Sequence, residues 1–494
     1  MILGVSAGFH DAALSLIDRD GSIVFAGHSE RYSKVKNDAN IDPSLLDEVR
    51  GYPITDIAYY ERPWMHKLRT WYTGENDSSP WLVRSTLKKY LGDFVQNQRL
   101  HCFPHHLSHA AAGFQTSPFD QAAVVVIDAI GEFDTISIYR AWYNDQGRAC
   151  YKKLWGRKYP HSIGLFYSAL TKTIGFKPNE EEYITMGYAA YCSPLDARYN
   201  LPPFLRQYVR SIEHVQFKDN LHLGDTNSVE WLDKSKLAGV TQLLAERLIM
   251  SVISRARDLV DSENLVYSGG VALNCVANRL LGRSFGNVWI MPNPGDAGSS
   301  LGAGALVLGS SVQFKDAYLG HDIPGSYPVN DILDHLLSSA IVGVASGRAE
   351  FGPRALGNRS LLADPRKPDI RDRVNEIKRR QQFRPFAPVI LEEHVDDYFY
   401  MPEAWPTSSF MQVTATVKNP DLYPGIVHVD GSARVQTVPR SSNSGIRKLL
   451  EKWYVLTGCP MLLNTSLNIR GEPMVNDRAD ADRFEQLYNV KVFS

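Results

Sequence analysis

ILGVSAGFHDAALSLIDRDGSIVFAG, residues 2–27, reads as strand, polar turn, strand, tight turn, strand. ILGVS is an apolar run of strand length, AGFHD places a glycine and an acid in a turn, and Asp20-Gly21 is a strong hairpin signal. The pattern recurs imperfectly over residues 122–155, as AVVVID, AIGEFD, TISIYRAWY, NDQG and RACYKKLW. Gln146-Gly147 is the weaker of the two tight turns. An apolar strand followed by a glycine-bearing turn with an acid therefore occurs twice, which predicts a duplicated α/β unit.

Working outward, residues 162–174 and 241–260 carry apolar residues at i, i+3 and i+4 and predict helices. NLVYSGGVALNCVANRLL predicts a short strand, a turn at Gly269 and Gly270, and a helix through Asn274. VWIMPNPGDAGSSLGAGAL repeats that logic, with Gly295 and Asp296 at the turn. Glycine there lets backbone approach a ligand and offers free N–H groups at a helix start. Two hairpin units facing each other resemble the actin-like ATPase superfamily, in which such hairpins clamp a nucleotide's phosphates. Residues 309–329 lose helical periodicity and gain Gly and Pro, which sets a boundary between domains 1–318 and 319–494.

Composition is that of an ordinary globular protein: 494 residues, 44% hydrophobic, 22% charged, formal net charge −1. No global field points to nucleic acid or an anionic membrane. Cys102, Cys150, Cys192, Cys275 and Cys459 are scattered without CxxC pairing, which reads as reduced and intracellular. No signal peptide is evident, and no run approaches the ~20 apolar residues of a membrane span, so the expected location is the cytoplasm.

The chemistry-bearing residues begin with HHLSH. On a helix, His105 and His109 stack one turn apart on one face. Asp128 ends a buried-type strand, Asp296 sits in NPGDAG, and the four could converge on one metal ion. Two imidazoles and two carboxylates suit iron, manganese or zinc.

Eight strings, in order and spanning nearly the whole chain, resemble the O-carbamoyltransferase family of the tobramycin, cephalosporin and nodulation-factor enzymes. They are GVSAGFHDAALSLI, HHLSHAAAGF, SIGLFYSALTKTIGFKPNEEEY, YSGGVALN, NPGDAGSSLGA, GRAEFGPRALGNRSLLADPR, FRPFAP and LLNTSLNIRGEPMV. The resemblance implies an actin-like N-terminal domain and an α/β C-terminal domain similar to threonylcarbamoyl-AMP synthase. It also implies that the second domain joins carbamoyl phosphate to Mg-ATP, giving carbamoyl adenylate and pyrophosphate, and that the first moves the carbamoyl group to a hydroxyl. Fe(II) held by His105, His109, Asp128 and Asp296 would bind the nucleotide phosphate. Gly131, Glu182, Gly269, Gly270, Asn274 and Gly295 would meet the nucleotide. His10, beside Asp11 in the first turn, would be the general base or a transition-state donor, since histidine titrates near neutrality. One loop departs from the family pattern: Asn179 to Cys192 reads NEEEYITMGYAAYC, with Glu181, Ile184, Ala190 and Cys192 replacing the usual residues. The chain also reads as shorter than many relatives, notably at its C-terminal end.

In the second domain Arg348, Arg354, Arg359, Arg366, Lys378, Arg379, Arg380 and Arg384 crowd a short span. Guanidinium forks suit phosphate oxygens. Arg354, Arg359, Lys378 and Arg384 are the expected ligands; Arg366, Arg379 and Arg380 read as solvated surface charge. Asn464, Ser466 and Asn468 alternate in LLNTSLN, which predicts one strand face offering amide and hydroxyl groups to a planar carbamoyl. Glu472 would order an arginine or a magnesium-bound phosphate.

The acceptor is the least legible part. Residues 60–73, YERPWMHKLRTWYT, interleave aromatic and basic residues, and two readings stand. The favoured one is an amphipathic helix with its aromatics in the core; the other is a surface tracking nucleic acid by charge and stacking. Candidate acceptors are a sugar hydroxyl on a small metabolite or a hydroxymethylated pyrimidine in DNA. The oligomeric state stays open, a dimer included. The rival functions are an actin-like small-molecule kinase and a catalytically inactive nucleic-acid-binding relative.

Overall fold

The computed structural model describes residues 1–74, 79–224, 229 and 232–494. The chain divides into two compact units. The first comprises Met1–Ser33, Asn37–Ala277 and Leu281–Lys315; the second comprises Lys34–Lys36, Asn278–Leu280 and Asp316–Ser494.

Among the described residues, the first unit contains two five-stranded sheets built alike. Strands β1 (Ile2–Ser6), β2 (Ala13–Ile17), β3 (Ile23–His28), β4 (Asp56–Tyr59) and β5 (Arg99–Cys102) run in the order β3-β2-β1-β4-β5. β1 is antiparallel to β2 and parallel to β4. β6 (Gln121–Gly131), β7 (Asp134–Tyr143) and β8 (Ala149–Lys158) precede a short ladder of β9 (Val209–Ser211) and β10 (Gln216–Phe217). β11 (Asn264–Ser268) and β12 (Asn287–Trp289) then complete the second sheet, ordered β12-β11-β6-β7-β8. β6 is antiparallel to β7 and parallel to β11, so the two sheets share order and sense. This is the duplicated actin-like arrangement expected from the repeat. β1 and β2 are buried along their whole length, because covered sheets need near-continuous apolar strands and not alternating ones.

Helices carry out the rest of the expectation, with adjusted ends. The helix Ile163–Ile174 starts at Ser162, whose hydroxyl caps Leu165 N–H, and stops at left-handed Gly175. The helix expected at 241–260 runs Lys234–Leu259, because Asp233 caps it further upstream. Its polar first turn, KSK, dilutes the periodicity that marks the rest. That helix is long and apolar enough to cross a membrane, yet 67% of its apolar window is buried within the protein, packed on Ile163–Ile174 and β6. It is a core helix.

Two helices set the site. His105–Phe114 lies against Ser299–Leu308, and a Cβ at Gly302 would come 1.9 Å from the Ser108 carbonyl oxygen. The same helix presses on β1, where a Cβ at Gly4 would sit 1.8 Å from the Ser300 carbonyl oxygen. Only hydrogen fits at either contact.

The second unit, among the described residues, is built on a mixed sheet ordered β21-β17-β22-β16-β14-β23. Its strands are β14 (Ile341–Ala345), β16 (Arg359–Ala363), β17 (Ala387–Leu391), β21 (Gln436–Val438), β22 (Met461–Ser466) and β23 (Val492–Phe493). Leu361 and Leu463 enter one core, while Leu362 and Leu462 enter the other with Trp453, as period two requires. Helices Val329–Ser339 and Gly445–Thr457 cover that second face. Two small ladders flank it: β13 (Tyr318–Ile323) with β15 (Gly347–Glu350), and β18 (Phe399–Tyr400), β19 (Thr414–Val417) and β20 (Ser432–Arg434).

Replacing Gly302 by Ala forces the two packed helices apart. Urea denaturation should show a loss of about 1–3 kcal/mol, and unchanged stability would mean that the contact is looser than described.

Candidate functional site

The structure brings His105, His109, Asp128 and Asp296 together, with ligand atoms all within 4.8 Å of one another and all four residues buried. His105 opens its helix and His109 follows one turn on, so one helix face delivers both rings. Asp128 lies near the end of β6, and Asp296 opens the turn that leads into Ser299–Leu308. His109 Nε2 is 3.0 Å from His105 Nε2, 3.2 Å from Asp128 Oδ2 and 3.2 Å from Asp296 Oδ1. His105 Nε2 is 3.2 Å from Asp128 Oδ2 and 3.4 Å from Asp296 Oδ1.

The far side of each ring fixes which nitrogen faces the centre. His109 Nδ1 lies 3.1 Å from the Pro294 carbonyl, which can only accept, so Nδ1 carries the hydrogen. His105 Nδ1 lies 3.5 Å from Glu61 Oε2, and the other Glu61 oxygen is 3.1 Å from His66 Nδ1. Both Nε2 atoms therefore point inward, backed by outer acceptors that raise their basicity. Two neutral nitrogen lone pairs cannot rest 3.0 Å apart without a proton or a cation between them. Ligands ~2.0–2.2 Å from one ion are spaced ~3.0–3.5 Å from each other, and the two Nε2 atoms stand 3.0–3.4 Å from one another and from the Asp128 and Asp296 oxygens. The donor set fits a divalent transition metal.

Electrostatics agree. Burial pulls His105 and His109 toward neutrality, but the carboxylates of Asp296 and Asp128 outweigh it and hold both above the ordinary range. Burial works against ionised Asp128 and Asp296 too, and contact with the two imidazoles keeps both below the usual carboxylate range. Buried negative charge of this density needs compensation, from protons or from a cation. His106 takes no part: it faces the Ser137 hydroxyl at 2.8 Å, and burial pushes it well below its usual value.

Sequence reasoning misses Glu61. The signal is present, since DIAYYE is an apolar strand ending in an acid, as VVVID is at Asp128. Its place in an aromatic-basic segment masks it.

His10 and Asp11 stand in the turn after β1, with His10 Nδ1 3.1 Å from Asp11 Oδ2 and the ring 31% exposed. Asp11 adopts a left-handed backbone, φ 54°. Burial lowers the His10 pKa, but Asp11 raises it, with Asp296 and Asp128 adding, to about 9. The Asp11 carboxylate favours the protonated form of the ring near neutral pH.

Several expected nucleotide contacts are used inside the protein. Gly269 N–H donates to the Pro294 carbonyl at 2.9 Å, and Gly270 N–H donates to Asp128 Oδ1 at 3.3 Å. The expectation of free N–H groups there is corrected: this turn positions the Asp128 carboxylate. Gly131 makes room for a ring, since a Cβ would meet His105 Cδ2 at 2.3 Å. The Asn274 amide is locked to the Gln242 amide, Nδ2 to Oε1 at 3.1 Å and Oδ1 to Nε2 at 3.1 Å. Glu182 Oε1 accepts from the Ser168 hydroxyl at 2.6 Å and from Asn179 N–H at 2.5 Å, tying down the divergent loop. Gly295 stands in open space, where a Cβ would meet nothing within 4 Å.

In the second unit, Lys378 Nζ donates to the Ser466 carbonyl at 2.5 Å, the Asn468 carbonyl at 2.8 Å and Asn468 Oδ1 at 3.0 Å. Burial, with Arg380 and Arg384 nearby, pushes its pKa well below the usual lysine range. Lys378, Arg384, Ser466 and Asn468 are therefore neighbours. Asn464 and Ser466 share a face of β22, but Asn468 lies past the strand end. Asn464 Nδ2 donates to the Ala355 carbonyl at 3.1 Å and to Gln436 Oε1 at 2.8 Å, so it braces the loop that carries half-buried Arg354.

Arg359 is a correction. It is fully buried, and its guanidinium donates to the carbonyls of Asn476, Ser346, Gly347, Asn358 and His321 at 2.9–3.2 Å. These backbone carbonyls, in a site with no solvent exposure, occupy the guanidinium and keep it from a phosphate. Arg366 is likewise no solvated charge: it forks onto Asp364 at 2.8 and 2.9 Å and lies over the Trp453 ring. Arg380 bonds Asn375 Oδ1 at 2.6 Å and covers the Phe386 ring. Glu472 lies beside the Tyr488 hydroxyl, at 3.5 Å.

Comparison with known proteins sets this geometry in context. Residues 81–305 match the model for the carbamoyltransferase N-terminus and residues 333–493 that for the carbamoyltransferase C-terminus. An uncharacterized protein of Synechocystis is 32% identical over 583 residues, covering 98% of this chain and 93% of that protein. Nodulation protein NolNO of Sinorhizobium fredii is 31% identical over 527 residues, covering 96% of this chain and 76% of its own length. The first of these alignments is longer than the 494-residue chain, so that relative carries inserts within the aligned region. Among solved structures, the activator of 2-hydroxyisocaproyl-CoA dehydratase from Clostridium difficile overlaps 62% of this chain and 94% of its own, at 13% identity and TM-score 0.32. The fold assignment stands on the strand order.

Metal analysis of the purified protein should find one bound transition-metal ion, lost in His105→Ala and in Asp296→Asn. Glu61→Gln should weaken affinity roughly 10- to 100-fold by removing the outer acceptor. Because the cation must displace protons from His105 and His109, loading should release protons and affinity should fall as pH drops. Metal content indifferent to all three substitutions would remove the centre.

Proposed function

The chain belongs to the carbamoyltransferase family, and from that we propose that it is an ATP-dependent O-carbamoyltransferase acting through two half-reactions. The observation that carries the reading is the buried convergence of His105, His109, Asp128 and Asp296 within 4.8 Å. In the first half-reaction, water releases phosphate from carbamoyl phosphate, the carbamate oxygen attacks the α-phosphorus of Mg-ATP, and pyrophosphate leaves. Arg354, Lys378 and Arg384 hold the anions, and Ser466 and Asn468 orient the planar carbamoyl group. Asn464 Oδ1, which is buried and makes no hydrogen bond among the described residues, is an acceptor suited to the carbamoyl N–H.

In the second half-reaction an acceptor hydroxyl attacks the carbamoyl carbon of the adenylate and AMP leaves. A bound Fe(II), Mn(II) or Zn(II) at the four-residue centre would supply charge stabilisation at the adenylate phosphate. His10, kept protonated by Asp11, donates to the departing oxygen and is then neutral and able to accept the hydroxyl proton. The acceptor is a hydroxyl on a pyrimidine of DNA or on the sugar of a small metabolite.

With ATP, magnesium and carbamoyl phosphate, pyrophosphate release and acceptor modification can be followed separately, the latter as a gain of about 43 daltons by mass spectrometry, the product of adenylate-driven transfer. His105→Ala should lose transfer and keep pyrophosphate release, and Arg354→Ala should lose pyrophosphate release with metal retained. Loss of the same half-reaction in both variants, or ADP with a phosphorylated product in place of pyrophosphate, would overturn the scheme. His10→Asn should slow transfer roughly 10²- to 10⁴-fold with metal and adenylate formation intact.

A further inference from the structure

The helix Pro63–Thr73 is amphipathic in sequence and inverted in space. Trp64, Leu68, Trp71 and Tyr72 recur at helical spacing and form one stripe, and that stripe faces out: Trp71 is 79% and Tyr72 68% exposed. The residues it buries are Pro63, Arg69 and Thr70. The expectation of a core-facing aromatic stripe is therefore overturned. A row of exposed aromatics of this kind marks an interaction surface.

Its position relates it to the transfer site. The helix follows directly on Tyr60, whose ring lies 5.0 Å from that of His105, and on Glu61, 3.5 Å from His105 Nδ1. At the other end Tyr72 meets Phe133, in the turn after β6, with ring centroids 6.1 Å apart. Eleven helical residues span ~16 Å at ~1.5 Å each, so the stripe reaches from beside Glu61 to Phe133, two residues past Gly131. The next helix, Val83–Leu91, exposes Arg84, Lys88 and Lys89. Its Tyr90 stacks on Tyr59 at 6.5 Å and crowds Gly8, two residues before His10. Exposed Phe9 lies against the His10 ring at 4.7 Å.

We propose that the aromatic stripe of Pro63–Thr73, with the cations of Val83–Leu91, is a docking ledge for a single-stranded nucleic acid whose nucleobase carries the acceptor hydroxyl. The inference rests on the carbamoyl-transfer reading and names its acceptor class. An open face cannot enclose a small metabolite, which needs a concave pocket, whereas successive bases can stack along a row of rings. Residues 60–92 contain Arg62, Lys67, Arg69, Arg84, Lys88 and Lys89 against Glu61, Glu75 and Asp77, in a chain of net charge −1. Glu61 is spent on His66 and His105, Arg62 on Glu132, and Arg69 is buried, so the positive excess of this segment rests on Lys67, Arg84, Lys88 and Lys89. That sign suits a phosphate backbone and opposes docking of a second identical basic face.

The test is fluorescence anisotropy of a labelled single-stranded DNA of about 20 nucleotides at about 50 mM salt, without ATP or carbamoyl phosphate. The unmodified protein should bind, and more weakly as salt rises. W71A/Y72A should weaken binding roughly tenfold or more, while W71F keeps most of it; Lys88→Gln with Lys89→Gln should flatten the salt dependence. Both aromatic sites are exposed, so the variants should keep the parent's melting temperature and metal content. Equal affinity in W71A/Y72A, absence of binding, or light scattering that shows the stripe mediating self-association would each overturn the proposal. DNA binding without pyrophosphate release would sink only the catalytic reading; carbamoylation of a sugar by a protein that ignores DNA would sink only the ledge.

Discussion

Three carboxylates and two imidazoles packed out of reach of water impose the constraint on which the first unit is arranged. Glu61, Asp128 and Asp296 surround His105 and His109, and none of the five could be buried alone without heavy cost. They come from four separate elements: the end of β4, one turn of a helix, the end of β6, and the turn before Ser299–Leu308. The sheets and helices of the unit thus have a shared obligation, to bring distant parts of the chain to one point at bonding distance. Glycines meet it where side chains would intrude, Gly131 beside the His105 ring and Gly302 under the Ser108 carbonyl.

Much of this is legible in the sequence. The repeated strand–turn–strand pattern becomes two sheets of the same order and sense, because strand length, apolar runs and turn chemistry are local properties. His105 and His109 are legible because helical spacing alone puts them together. What cannot be read is direction. The stripe Trp64–Leu68–Trp71–Tyr72 has the periodicity of a core-facing helix, and periodicity does not say which face turns inward. The same limit applies to FGPRALGNRS, where Arg359 and Arg354 look alike in sequence. One lies on a buried strand with its guanidinium bonded to five backbone carbonyls; the other stays on the half-open loop.

The glycine-rich turns teach a related point. Their pattern predicts that Gly269 and Gly270 leave their N–H groups free for a ligand, as helix starts often do. Their hydrogen bonds instead go to Pro294 and to Asp128. Pro294 also accepts from His109, so a single carbonyl of the PNPGD loop braces both an imidazole and the turn that braces a carboxylate. Backbone, not side chains, does most of the outer support.

The helix Ser299–Leu308 has a consequence for how the centre would take up an ion. It touches β1 on one side and the histidine helix on the other at backbone-to-backbone distance, and Asp296 stands three residues ahead of it. Contacts of that kind have no side-chain slack, so backbone packing holds the Asp296 turn and the two histidines against one another. An arriving cation would meet a rigid cage, and the pace of capture would be set by shedding of hydration water and of imidazole protons. Rearrangement of the polypeptide would contribute little.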